Sequence, residues 1–172
     1  MYSIHSLEFE ENVTAGALAK YIGMTAVLTS IDLSYTRIHD EDLQALKGLP
    51  CLRSLDLSNT KVRNEGLKNL RDCVVSTSLD LNVTKVSRGG LKYIECLTNL
   101  TFLNLRHAKV CSTDMKSLTH LTRLTSLNLC QSCSASIQYL THLTRLTHLD
   151  IAFTVITSDD VSGFERINIR MI

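Results

Sequence analysis

Apolar residues recur along this chain in a fixed order. A pair of apolar residues separated by one polar residue occurs at Leu7/Phe9, Ile31/Leu33, Leu55/Leu57, Leu79/Leu81, Leu103/Leu105, Leu127/Leu129 and Leu149/Ile151. The first members stand 24 residues apart five times and 22 apart at the last step. Alternation at a step of two predicts a short strand with one buried face. Ahead of each pair the apolar residues fall at steps of three: Leu43, Leu46, Leu49 and Leu52 lead into Leu55, and Leu91, Ile94, Leu97 and Leu100 lead into Leu103. That spacing predicts a helical turn or two on the return leg. One such unit leaves its apolar face in water. The units must therefore stack, each strand pairing in parallel with its copy one period on.

Segments 28–49 (LTSIDLSYTRIHDEDLQALKGL) and 52–70 (LRSLDLSNTKVRNEGLKNL) resemble leucine-rich repeats, whose consensus is LxxLxLxxNxL. The place of the consensus Asn is taken by Thr36, Thr60, Thr84, Ala108, Ser132 and Thr154. That Thr, the Asp-x-x-Leu helix start and the 24-residue period are similar to variants found in bacterial, protozoan and F-box-type arrays. The resemblance implies an α/β fold, a right-handed leucine-rich-repeat solenoid curved into a horseshoe arc. A parallel β-sheet would line its concave face and short helices its convex face. It implies a single domain over residues 1–172 with about seven repeats, strands near 7, 31, 55, 79, 103, 127 and 149, and a partial eighth at 167–172. In the family the Asn side chains form a hydrogen-bonded ladder along the array. A Thr hydroxyl can supply part of that ladder and Ala108 none.

Several local expectations follow. Asp40, Asn64, Ser87 and Ser158 precede return-leg apolar runs, where an oxygen side chain caps free N–H groups. Gly48, with Pro50 two residues on, closes one helical turn. Ser76 stands at a core Leu position, and Val74 or Val75 would fill the space through a shift in register. The unit that begins at Leu127 is two residues short, which places an irregular stretch at 130–136, where Ser134 replaces the Ile38, Val62, Val86 and Val110 of other units. Neither end carries a polar cap; a fragment of a longer array, or end-to-end self-association, would account for that.

Equivalent residues of stacked strands form columns on the open face of the sheet. One runs Ser6, Ser30, Ser54, Ser78, Phe102, Ser126, His148. The next runs Glu8, Asp32, Asp56, Asp80, Asn104, Asn128, Asp150. Beyond the strand come Glu10, Ser34, Ser58, Asn82, Arg106, Cys130, Ala152, then Glu11, Tyr35, Asn59, Val83, His107, Gln131, Phe153, and two residues further Arg37, Lys61, Lys85, Lys109. Like charges side by side on a sheet repel. Neighbouring hydroxyls and amides disperse the charge of the carboxylate column, a basic partner neutralises it, or the Arg37–Lys109 column answers it from the rim. Lys68, Lys92 and Lys116 form a second basic column, read as a solvated helix face. In the C-terminal half the Ser/Asp/Asn monotony gives way to aromatic, Arg and His side chains, the types enriched at binding hot spots. The candidate partner-binding residues are Tyr35, Phe102, Arg106, His107, Asn128, Gln131, His148, Asp150 and Phe153.

Composition narrows the reading further. Eighteen Lys and Arg face seventeen Asp and Glu, so no general field favours nucleic acid, and the Lys column lacks interleaved aromatics. No apolar run is long enough to span a bilayer. The start, MYSIHSLEFEE, has neither a basic leader nor an apolar core segment, which gives a cytoplasmic expectation with six reduced thiols. Cys73 takes a core Leu position. Cys130-x-x-Cys133, with His107 and Cys111 one unit earlier, is a lone pair and a weak metal signal, so neither metal nor cofactor is expected. No phosphate-cradling loop, HExxH or nucleophile elbow is present, so no enzyme is expected. His120 and His142 occupy matching places in the near-duplicate LTHLTRLTSL and LTHLTRLTHL, a mark of copying. The expected function is non-catalytic protein–protein interaction through the concave face, in an adaptor, scaffold or regulatory protein. The alternative is an ectodomain fragment of a receptor or surface recognition protein, with the sequons at Asn12, Asn82 and Asn99 glycosylated.

Overall fold

The computed structural model describes residues 5–23, 27–132, 137–155, 161, 164 and 166–171. Eight three-residue strands form one parallel sheet in chain order: β1 (Ser6–Glu8), β2 (Ser30–Asp32), β3 (Ser54–Asp56), β4 (Ser78–Asp80), β5 (Phe102–Asn104), β6 (Ser126–Asn128), β7 (His148–Asp150) and β8 (Asn168–Arg170). The register follows the repeat, Leu7 beside Ile31 and on through Leu55, Leu79, Leu103, Leu127 and Leu149 to Ile169. The eighth strand is thus a paired member of the sheet, reached after 20 residues instead of 24. The return legs carry α1 (Ala15–Gly23), α2 (Asn64–Leu67) and α3 (Ser112–Leu118), and 3-10 turns at Asp42–Leu46, Lys68–Leu70, Leu91–Tyr93 and Ile137–His142. A step of three matches the 3-10 turn better than the α-helix, which keeps most helical pieces short. Between sheet and return legs lies one continuous core of Leu, Ile and Val, with Leu7 and Ile169 half-buried at its ends.

Each strand ends in the same way. The Asp or Asn between the paired apolar residues accepts the backbone N–H two residues on: Asp32 from Ser34, Asp56 from Ser58 and Asp80 from Asn82, each at 2.8 Å, then Asn104, Asn128 and Asp150 likewise. The next residue turns into the left-handed region, with φ from 53 to 59° at Tyr35, Asn59, Val83, His107, Gln131 and Phe153. For a non-glycine residue that conformation costs about 1 kcal/mol or more. In return, the N–H groups of Tyr35, Asn59, Val83, His107 and Gln131 each donate to a carbonyl of the next coil at 2.8–3.0 Å, extending the sheet's bonding into the loops.

Some local expectations are overturned. The Thr column forms no ladder between coils: Thr36, Thr60, Thr84, Ser132 and Thr154 each donate their hydroxyl to the carbonyl three residues back in their own coil. Ala108 closes the same turn with its backbone N–H alone. Ser76 needs no shift in register. Its buried hydroxyl donates to the Leu52 carbonyl at 2.9 Å, and Val74 is exposed. Asp40 and Asn64 do not cap their own helical turns. Asp40 Oδ1 accepts the Arg63 N–H of the next coil at 2.6 Å. Asn64 Oδ1 accepts from Ser87 at 2.9 Å, and its Nδ2 donates to the Arg88 carbonyl. At the following junction the residue in register with Asp40 and Asn64 is Arg88, which cannot accept. There Asp114 reaches backward instead and accepts the Gly89 N–H at 2.8 Å. Ser158, and 133–136 of the irregular stretch, lie outside the described residues.

Candidate functional site

On the open face of the sheet, β5 to β8 enclose a groove of about 680 Å³. Four of the nine candidate residues meet there: Phe102 and His148 in the first column, Asn128 and Asp150 in the second. Phe102 stands between Ser78 and Ser126, so its ring rises above short neighbours. Asp150 accepts the Ala152 N–H through one oxygen, and its other oxygen lies 3.7 Å from Arg170 on β8. Thr147 Oγ1 lies 2.9 Å from the exposed His148 Nδ1. Asn168, Arg170 and Met171 complete the wall. Sequence reading missed these three because the last unit departs from the 24-residue spacing. The signal was present: Asn168 and Arg170 occupy the same two columns as His148 and Asp150.

The remaining candidates lie elsewhere. Tyr35, His107, Gln131 and Phe153 share the left-handed column at the end of the strands, and Tyr35 and Phe153 are 70% and 68% exposed. Arg106 is exposed one residue before that column, its carbonyl accepting from Val83. The structure therefore divides one sequence patch into a groove on the sheet and a ridge along its edge. Tyr35 stands three coils from His107 and outside the groove.

The carboxylate column has a structural use, since each Asp holds a turn. It also has an electrostatic cost. Burial raises the Asp80 carboxyl above the ordinary carboxylate range. Bonds from the Asn82 N–H and the Asn104 amide pull it down, and the charges of Asp56 and Asp32 push it up again. The basic column does not answer this charge: Arg37 pairs with Glu11 at 2.8 Å, and among the described residues no Lys reaches the Asp column. A group whose folded pKa is raised contributes most below its unfolded value, and that contribution fades as pH rises through the folded value. Asp56→Asn keeps the oxygen for Ser58 and removes the charge between two others. It should raise the midpoint of urea unfolding at pH 7, and the gain over the native chain should shrink as pH falls through the carboxylate range. A gain that does not change with pH would refute the charge explanation.

Other candidate chemistry resolves simply. Cys73 is buried, its thiol pushed up to about 11 by desolvation, with Asp72 and Cys96 adding to the rise, and it packs as a small apolar group. Cys130 is buried, and Cys133 lies outside the described residues. Among the described residues no three His, Cys, Asp or Glu side chains are placed to hold a metal. None of their helices is long and apolar enough to cross a membrane. The Asn99 amide donates to the Val74 carbonyl and its oxygen accepts from Arg123, both at 2.8 Å; the side-chain Oδ1 of Asn82 is buried with no partner among the described residues; Asn12 is exposed. On the helix side, Lys68 and Lys92 lie over the Tyr93 ring and Lys116 over Tyr139.

Residues 26–47 and 48–70 match the leucine-rich repeat family. No curated protein sequence matches the chain. Among solved structures it is similar to an internalin (inlF) from Listeria monocytogenes, at TM-score 0.76 and 24% identity over 93% of this chain and 44% of that one. It is also similar to internalin C2 of the same bacterium, at TM-score 0.68 and 22% identity, covering 85% of this chain and 62% of the other. A plant peptide hormone receptor, RGFR1 in complex with RGF2, gives TM-score 0.63 and 17% identity over 99% of this chain and 26% of the receptor. The chain thus spans less than two thirds of each of these structures. At such identities the likeness establishes the fold, an α/β leucine-rich-repeat solenoid.

Proposed function

We propose that this chain, a leucine-rich-repeat protein, is a non-catalytic recognition module that holds a protein partner against the open face of its sheet. The observation that carries the reading is the groove over β5–β8. There a column of Ser gives way to Phe102 and His148, and a column of Asp ends on Arg170, so one depression presents an aromatic ring, an imidazole, a guanidinium and the Met171 thioether. Binding sites draw on such residues because they bury area while offering directional bonds. Beneath the groove β5, β6 and β7 are paired on both sides and β8 on one, so most of the surface is organised before a partner arrives. The adaptor or scaffold role expected from the sequence is part of this proposal, as is its cytoplasmic setting.

The triple variant Phe102→Ala, His148→Ala, Arg170→Ala should lose capture of partners from native lysate, read by mass spectrometry against the native chain. Its circular dichroism and urea midpoint should stay close to native, because all three side chains lie off the core. Unchanged capture would reject the groove as the binding surface.

A further inference from the structure

A second surface lies along the edge where the strands end. Lys61, Lys85 and Lys109 sit on three successive coils, exposed, and none of them makes an ion pair or a side-chain hydrogen bond among the described residues. The first cation of that column is satisfied differently. Arg37 donates from Nη2 and Nε to Glu11 Oε1, at 2.8 and 3.2 Å, across 26 residues of sequence. The residues standing 26 before Lys61, Lys85 and Lys109 are Tyr35, Asn59 and Val83, none of them acidic. The chain thus supplies a carboxylate to the first cation and leaves three without one. Beside them runs a trough made of two depressions, of about 380 and 400 Å³, which meet at Val83 and Lys85. Tyr35, Val83 and His107 of the left-handed column contribute to its lining.

We propose that this trough binds an acidic helix of a partner protein, with one carboxylate on each of Lys61, Lys85 and Lys109. Charge complementarity selects the sign, since three aligned cations in a half-apolar trough attract anions and repel basic segments. Spacing selects the shape. Successive strands lie about 4.8 Å apart, and helix residues three or four apart rise about 4.5–6 Å. Carboxylates on one helix face therefore keep step with the coils. An extended segment repeats its face every 6.6 Å or so and falls out of step within two coils. The helix's apolar flank would cover Tyr35 and Val83, both exposed in the isolated chain. This surface is separate from the groove over β5–β8 and stands without it.

The test uses a fluorescent, alanine-rich peptide of roughly 16 residues with Glu at three- and four-residue spacing and Leu beside them, long enough to hold a helix. Its binding is followed by anisotropy at low and high salt. Controls are the same peptide broken by two prolines and an oligo-uridine RNA. The native chain should bind the helical peptide, with affinity falling as salt rises. The variant K61Q/K85Q/K109Q should bind about tenfold or more weakly, K85E alone should also weaken binding, and K92Q, on the helix side over Tyr93, should not. The proline-broken peptide should bind several-fold more weakly. No binding at low salt, equal binding by the triple variant, equal binding of the broken peptide, or tighter binding of the RNA would each overturn the proposal. Loss of partner capture through the groove variant leaves this result unchanged, so the two surfaces are tested apart.

Discussion

Replacing Asp114 by alanine is expected to destabilise the fold by about 3 kcal/mol, a large share of the stability of a domain this size. Asp114 is only 2% exposed and lies at the third position of α3. One oxygen accepts the Cys111 N–H at 3.0 Å and the Cys111 thiol at 3.2 Å, holding the first turn of its own helix. The other accepts the Gly89 N–H of the previous coil at 2.8 Å. Alanine leaves two backbone donors without their acceptor at a junction with little access for water. Each such orphan costs about 1–3 kcal/mol. Asp114→Asn keeps one acceptor oxygen and should fall between alanine and the native chain. Urea unfolding measures both, with the slope unchanged if the denatured state is unaffected. A loss below about 1 kcal/mol for alanine would mean that water takes over both bonds.

Gly90→Ala should destabilise by about 2 kcal/mol, against the usual sense of glycine-to-alanine changes at permissive backbone angles, which stabilise by about 0.4–1 kcal/mol. Gly90 has φ −75°, so its backbone would accept alanine. Space forbids it. An added Cβ would lie 2.5 Å from Asn64 Oδ1 and 3.0 Å from the Ser87 carbonyl, which already accepts the Gly90 N–H. Asn64 is the residue that binds coil to coil there, so the methyl group would displace the staple itself. Gly66 stands one period earlier with the same relation to Asp40, 2.6 Å from a built Cβ. Gly16 in α1 has nothing within 4 Å of such a Cβ and serves as the control. Gly16→Ala should stabilise slightly while Gly90→Ala destabilises. Equal effects at the two sites would remove the steric account.

These junctions show where sequence reading reached its limit. Asp40 and Asn64 look like helix caps because a cap and a staple to the next coil ask for the same residue, a short acceptor ahead of an apolar run. Which N–H the oxygen meets depends on the coil stacked beside it. Gly66 and Gly90 are in register with Asp114, so one column provides room for a forward staple twice and then a backward staple once. A spacing rule cannot reveal that change of direction. The candidate site divided for a similar reason. Phe102 and Phe153 belong to one variable stretch of sequence, yet the first points from a strand into the groove, while the second follows a left-handed turn that carries it to the edge.

By itself the sequence determined the coil, the parallel sheet in register and the leucine core. Those depend on a hydrophobic period repeated within each unit, and a unit that cannot bury its own face has to stack. Tertiary structure alone decided how Asp40, Asn64 and Asp114 join the coils, that Arg170 stands against Asp150, and that three lysines lack a carboxylate where Arg37 has one. Each of these joins residues 20 to 26 positions apart, and only the packing of one coil on the next sets their distance and direction.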